Sequence, residues 1–243
     1  MSLNSSHYNN GVLVYAGERI LIYCDGVQMS FEGGNLPTGN KKGRIYLTSH
    51  RVVFISNNQN DNLQSFSMPF FTMKEVELEQ PIFGANYIKG VVFAEQGGKW
   101  CGHAKFKMSF NHGGAIEFGQ AMLQAGKIVS RYQMPQPPPY TPPQGPYYQP
   151  PPPAYSAPRY DWVPYQTFPN APPASEVFMA EAPPPYPGID PSLTPYPNNP
   201  PQDAKAREAA ASAYYNPANP HLLYMPSPNE PPPPYTEATK KSN

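Results

Sequence analysis

The chain has little cysteine, no long apolar run and no net charge, and each lack excludes a class of protein. Cys24 and Cys101 are the only two cysteines in 243 residues, which argues against a disulfide framework. No uninterrupted apolar stretch approaches the length of about 18 residues that a membrane-spanning helix needs. The 17 basic and 17 acidic residues balance, which disfavours binding of nucleic acid through charge. We therefore expect an intracellular protein in a reducing compartment.

Proline is scarce in the first 130 residues and glycine is scarce in the remainder, so composition divides the chain in two. Residues 1–130 hold 3 of the 36 prolines and 16 of the 18 glycines. A stretch of about 130 residues is a normal size for one domain with its own core. Residues 131–243 carry few aliphatic side chains to offset the entropy lost on ordering. The sequence predicts a folded domain over 1–130 and a disordered Pro/Tyr-rich tail over 131–243.

The recognised signatures of catalysis are missing as well. The five histidines are scattered and none lies in a metal-binding H-E-x-x-H pattern. No nucleophile elbow, phosphate-binding loop or dinucleotide fingerprint is present. Cys101 and His103 form a single close pair without a second pair to complete a zinc site. We therefore predict no catalytic residue, no metal site and no cofactor, and hence a non-enzymatic protein.

Apolar periodicity indicates the fold of the first part. Val27, Met29 and Phe31 alternate with polar residues, the pattern of a half-buried strand over 27–31. Similar β-branched and aromatic runs recur up to residue 110 and predict further strands, among them 12–15, 19–23 and 71–78. From residue 115 to 129 the apolar residues change to helical spacing, which predicts one amphipathic helix. About seven antiparallel strands followed by this helix predict an α+β fold, a small curved sheet or barrel with the helix covering an open end.

The tail contains the short motif Pro-Pro-x-Tyr four times. Composition alone would produce about one copy by chance in a tail with 33 prolines and 13 tyrosines among 113 residues. Paired prolines pre-form a polyproline II helix, which docks into the aromatic grooves of WW-type domains at little entropic cost. The tyrosine returns to the same face after about 3 residues and fills a second pocket. The predicted WW-binding residues are Pro137, Pro138, Tyr140, Pro152, Pro153, Tyr155, Pro183, Pro184, Tyr186, Pro232, Pro233 and Tyr235.

One tail segment has helical character. Residues 203–215 are alanine-rich, with Asp203 placed to cap the first turn and Asn216-Pro217 to end it. A helix of this length is marginal by itself in water. Two interpretations stay open: a nascent helix that folds on a partner, or a spacer between the third and fourth motifs.

Several segments resemble one known family. Residues 43–55 read G-R-I-Y-L-T-S-H-R-V-V-F-I and resemble the G-x-x-Y-L-T-x-x-R-V-x-F-x signature of GRAM domains, which share the pleckstrin-homology fold. Residues 80–90, 113–120 and 209–225 resemble segments of the WW domain-binding protein 2 family, which includes a sperm postacrosomal relative. The resemblance implies a pleckstrin-homology-like β-barrel of about seven strands with a C-terminal helix, and it makes Arg51 an inter-strand contact rather than a ligand.

The same resemblance implies a role and partners. The family is associated with transcriptional coactivation alongside WW-domain proteins and nuclear receptors, which implies location in the nucleus and cytoplasm and an indirect association with chromatin. WW-domain partners include coactivators and HECT-type ubiquitin ligases, so recruitment of a ligase is an open alternative. Two others are an egg-activation factor and a membrane trafficking or signalling adaptor. The latter would contact phosphoinositide weakly through Lys41, Lys42 and Arg44, the one local basic cluster.

Overall fold

A computed structural model describes residues 2–131, 142–143, 145–151, 154–157, 159–169 and 171–189. All of them belong to one compact unit, Met1–Pro195, and the second unit, Tyr196–Asn243, lies outside the described residues. The helix predicted over 203–215 therefore also lies outside them. Among the described residues, no helix combines the length and apolarity needed to cross a membrane.

The strands are β1 (Ser2–Leu3), β2 (His7–Tyr8), β3 (Gly11–Tyr15), β4 (Ile20–Glu32), β5 (Lys41–Thr48), β6 (Arg51–Ser56), β7 (Ser65–Pro69), β8 (Met73–Glu79), β9 (Tyr87–Phe93), β10 (His103–Phe110) and β11 (Val177–Ala180). Most of them join one eight-stranded antiparallel sheet, with the order β1-β7-β6-β5-β4-β10-β9-β8. A smaller sheet has the order β11-β3-β2, and its β11 runs parallel to β3.

Strand β4 shows where the sequence pattern and the structure differ. The pattern predicted two strands, over 19–23 and 27–31, but the structure joins them into one strand of 13 residues. Its register with β5 shifts between Cys24 and Val27, which marks a β-bulge. Gly26 lies there with a φ of +70°, a conformation that glycine adopts readily. In the sequence, the pair Asp25-Gly26 is typical of a turn, whereas in the structure Gly26 lies at a bulge within one continuous strand.

The predicted amphipathic helix is confirmed as α1 (Ala115–Arg131). Its buried side chains share the main apolar core with side chains of the large sheet, among them Ile88 of β9 and Phe106 of β10. At Gly119 the helix approaches β9 closely, since an added Cβ would lie 3.3 Å from the Ile88 side chain. The antiparallel sheet followed by one amphipathic helix confirms the predicted fold class. The helical residues in the core are Ala115, Phe118, Ala121, Met122, Ala125 and Val129.

The compact unit extends beyond the boundary predicted at residue 130. Strand β11 pairs with β3 from Val177↔Val12 to Ala180↔Tyr15, and all four of its residues are buried. Val163, Phe168 and Ile189 belong to the main apolar core. The composition of the tail, averaged over 113 residues, concealed this local concentration of apolar side chains. Burial of these apolar side chains offsets the conformational entropy lost when the segment becomes ordered. The average composition of the tail does not indicate this burial.

Candidate functional site

A buried ion pair between Arg51 and Glu18 lies where β3, β5 and β6 meet, and both side chains are 0% exposed. The guanidinium uses all five of its N–H donors. Arg51 Nε and one terminal nitrogen each lie 2.8 Å from the Glu18 carboxylate. The remaining donors contact the hydroxyls of Ser6 and Ser67 at 2.9 and 3.0 Å and the carbonyl of Leu13 at 2.9 Å. Arg51 is therefore the structural contact that the sequence predicted.

The Glu18 carboxylate is equally well coordinated. It also accepts hydrogen bonds from the Thr48 hydroxyl at 2.6 Å and from the backbone N–H of Tyr15 at 2.9 Å. Burial acts to raise the pKa of Glu18, but the Arg51 guanidinium outweighs it and holds the pKa below its usual value. The pair therefore stays charged and fixes the β3–β4 and β5–β6 turns to each other.

The third Pro-Pro-x-Tyr motif lies on top of this ion pair. Tyr186 is only 1% exposed, and its ring meets Tyr15 edge-on, with centroids 6.0 Å apart and planes at 87°. The ring of Phe71 lies 6.2 Å from that of Tyr186. Arg51 Cζ lies 5.9 Å from the Tyr186 centroid and 4.7 Å from that of Tyr15, which is cation–π geometry.

Residues on both sides of this motif are fixed to the domain. The backbone N–H of Ala16 donates to the carbonyl of Ala182 at 3.0 Å, and the N–H of Ile189 donates to the carbonyl of Ser49 at 2.8 Å. Gly188 packs on the ring of His50, where an added Cβ would lie 2.5 Å from Nε2. Burial lowers the pKa of His50 to about 4, so this ring is neutral at pH 7.

The tyrosine of the second motif is buried at a different place. Tyr155 is 1% exposed and belongs to a separate apolar cluster that contains Val12, Val14 and Met179. Its hydroxyl donates to the carbonyl of Pro172 at 3.3 Å, and its own carbonyl accepts the N–H of Ile20 at 2.8 Å. The structure therefore separates Tyr155 from Tyr186. Both tyrosines are packed on the domain, whereas the disordered tail predicted from the sequence would leave them exposed.

The other predicted motif residues lie outside the described residues. They are Pro137, Pro138 and Tyr140 of the first motif, Pro152 and Pro153 of the second, and Pro232, Pro233 and Tyr235 of the fourth. In the third motif, Pro183 is exposed and Pro184 is buried.

The basic cluster predicted to contact phosphoinositide is not an open anion site. Lys41 forms an ion pair with Asp61, at 2.6 Å. Arg44 forms ion pairs with both Asp25 and Glu176. Lys42 is exposed on the same strand. Because carboxylates already neutralise two of the three cations, the cluster offers little attraction to an anionic lipid headgroup.

Cys101 and His103 are both exposed, and the N–H of Cys101 donates to the side-chain oxygen of Asn35 at 3.1 Å. Across the described ranges, no group of three or more His, Cys, Asp or Glu side chains is placed to hold a metal ion.

The residues of the domain that contact Tyr186 could not be predicted from the sequence. Tyr15 and Phe71 were assigned to strands on β-propensity alone, and Phe71 lies instead in a short 3-10 helix, Phe70–Thr72. No periodic pattern relates them to Tyr186, more than a hundred positions away. The available signal was Gly188, one of only two glycines after residue 130.

Comparison with known proteins identifies the class and then the family. The GRAM domain family model matches residues 7–128, so the chain is a GRAM-domain protein. The human WW domain-binding protein 2 is 46% identical over 93% of this chain and 94% of its own length. The bovine postacrosomal sheath WW domain-binding protein is 45% identical over 54% of this chain and 44% of its own length. The chain belongs to the WW domain-binding protein 2 family.

A further relative by sequence, a stress-induced protein of Schizosaccharomyces pombe, is 33% identical over 59% of this chain and 90% of its own length. Among solved structures, the Vps36 N-terminal PH domain matches 54% of this chain and 95% of its own length, with 17% identity and a TM-score of 0.40.

Proposed function

We propose that this protein is a non-enzymatic adaptor that binds WW domains through its Pro-Pro-x-Tyr motifs. The observation that carries the proposal is the recurrence of the motif four times where composition would give about one. Similarity to proteins named for WW-domain binding supports it over almost the whole chain. The GRAM domain would then be the folded part of the adaptor, on which the tyrosines of the second and third motifs pack.

Several motifs in one chain also favour partners with more than one WW domain. The tyrosines of the first two motifs are 15 residues apart, a distance that flexible chain spans with an r.m.s. length of roughly 20–25 Å. Linking two sites in this way raises avidity by about 10²–10⁴ when both engage together. Because Tyr155 is buried, simultaneous engagement requires that its segment first leaves the domain.

Transcriptional coactivation, in the nucleus and cytoplasm, is the biological role we propose, on the basis of family membership. The neutral net charge supports an indirect association with chromatin through protein partners. The ion pairs of Lys41 and Arg44 argue against the phosphoinositide alternative. Recruitment of a ubiquitin ligase uses the same motifs, so the identity of the captured partners decides between these roles.

Affinity capture from cell lysate tests the proposal. The wild-type chain is compared with a variant in which both prolines of all four motifs are alanine, while the tyrosines stay because Tyr155 and Tyr186 are buried. We expect the variant to lose a set of WW-domain proteins, with coactivators or HECT-type ligases among them. The same partner list for both chains would refute the proposal. Exclusive capture of ligases would reassign the role to ubiquitin-ligase recruitment.

A further inference from the structure

The pocket around Tyr186 is assembled from three separate parts of the GRAM domain. The end of β3 supplies Tyr15, the β5–β6 turn and the first residue of β6 supply His50 and Arg51, and the 3-10 helix after β7 supplies Phe71. The ion pair below holds the first two parts together through the Glu18 carboxylate. A pocket held by a buried, fully hydrogen-bonded pair is pre-organised, and pre-organisation reduces the entropic cost of filling it.

The motif fills this pocket with its tyrosine and is held at both ends. The ring has an aromatic edge contact, a second aromatic neighbour and a cation beneath it. The backbone hydrogen bonds at Ala182 and Ile189 flank residues 183–186 on either side. Strand β11 brings the chain to this place by parallel pairing with β3, which ends at Ala180↔Tyr15.

The pocket is selective among the four motifs because of the residue two positions after the tyrosine. Only the third motif has glycine there, Gly188; the others have Pro142, Ala157 and Glu237. A Cβ on residue 188 would lie 2.5 to 2.8 Å from three atoms of the His50 ring, closer than real Cβ contacts allow. His50 is itself buried, so its ring has little room to move away.

We propose that the GRAM domain contains a binding pocket for a Pro-Pro-x-Tyr-x-Gly segment, and that the third motif occupies it within the same chain. The contacts described above are the evidence for the pocket. If the pocket is occupied, the third motif cannot bind a WW domain until residues 183–189 are released, and this consequence rests on the proposed function. A tyrosine that is 1% exposed cannot fill a WW pocket at the same time. Docking and WW binding therefore compete for one side chain.

This competition should weaken the measured affinity of the chain for a WW domain. The apparent dissociation constant equals the intrinsic one divided by the fraction of chains in which the motif is released. The test uses the full chain with both prolines of the other three motifs changed to alanine, so that only the third motif binds. Its dissociation constant for a recombinant WW domain that accepts Pro-Pro-x-Tyr is compared with that of a synthetic peptide of residues 179–189. We expect the chain to bind at least about tenfold more weakly than the peptide.

Two variants release the motif from opposite sides. Phe71→Ala removes a wall of the pocket and leaves the motif unchanged, and Gly188→Val adds a side chain where the His50 ring lies. Each is expected to bring the affinity of the chain to within about threefold of its matching peptide. Phe83→Ala is the matched control, because Phe83 is 91% exposed and away from the pocket contacts. It should leave the affinity of the chain unchanged.

Amide hydrogen exchange of the full chain separates the pocket from the proposed function. In the wild type, the amides of Ala16 and Ile189 should be protected, since both donate hydrogen bonds across the docked segment. Gly188→Val should remove the protection at Ile189 while the helix α1 stays protected. Equal affinities of chain and peptide, or an unprotected Ile189 amide in the wild type, would overturn the proposal. A protected Ile189 amide, together with a failure of peptides of all four motifs to bind a WW domain, would refute the proposed function and leave the pocket standing.

Discussion

Replacing Arg51 by methionine is expected to destabilise the folded unit more than any substitution of a surface charge. Methionine keeps a similar apolar stem but removes five hydrogen-bond donors. The Glu18 carboxylate then stays buried and, within the part of the chain that the structure describes, keeps hydrogen bonds only from the Thr48 hydroxyl and the Tyr15 N–H. A buried charge that loses its counter-charge is costly because it cannot reach water.

Breaking a buried ion pair from one side costs about 3–5 kcal/mol. The free energy of unfolding of a whole protein is about 5–15 kcal/mol. For a unit of this size, each kcal/mol lowers the melting temperature by about 2–4 °C, which gives roughly 6–20 °C for Arg51→Met. The double variant with Glu18→Leu removes both charges, so it should be less destabilised than the sum of the two single variants. We expect this coupling free energy to be about 1–3 kcal/mol.

Urea unfolding and thermal melting, followed by circular dichroism, measure these differences. Lys89→Met is the matched control, since Lys89 forms exposed ion pairs with Glu77 and Glu79 and should leave the transition unchanged. Two outcomes would refute the reasoning. One is an Arg51→Met variant as stable as the wild type, and the other is a double variant whose loss equals the sum of the single losses.

Two further predictions concern pH and the helix. His50 has a pKa of about 4 when folded against 6.5 as its ordinary value, so the unfolded chain binds more protons between these values. Because of His50, the free energy of unfolding should fall by about 2 kcal/mol as the pH is lowered from 7 to 5. His50→Gln should remove this decrease, although the charges of Glu18 and Arg51 still face position 50. Gly126→Ala should stabilise the unit by about 0.5–1 kcal/mol, since within the described ranges no atom beyond the helix's own backbone and the adjoining residues lies within 4 Å of an added Cβ. A lower free energy of unfolding in urea would contradict the helix packing.

Local patterns sufficed to predict most of the fold. Alternation along β10 and the helical spacing of α1 depend on which face is buried, and that information lies within a few neighbouring residues. The parallel pairing of β11 with β3 was not predictable in this way. Val177 and Val12 are 165 positions apart, and β11 is only four residues long. Average composition also concealed it, because the surrounding prolines outnumber its apolar residues.

The candidate site was predictable on one side only. The Pro-Pro-x-Tyr repeat predicts Tyr155 and Tyr186 as WW-binding residues because the motif is contiguous in sequence. Where those tyrosines rest depends on tertiary contacts with Tyr15, Arg51 and Phe71, which are distant in sequence. The basic cluster was also judged from sequence neighbours alone. Arg44 pairs with Glu176, 132 positions later, and a local charge count cannot include that partner.

Calorimetric titration of the purified full chain with a WW domain that accepts Pro-Pro-x-Tyr tests the central claim most directly. The wild-type chain should bind with measurable heat, and the variant with both prolines of all four motifs changed to alanine should give none. Circular dichroism of that variant confirms that the GRAM domain stays folded. Equal binding by a folded variant would contradict the account, since the four motifs would then not be the surface that WW domains recognise.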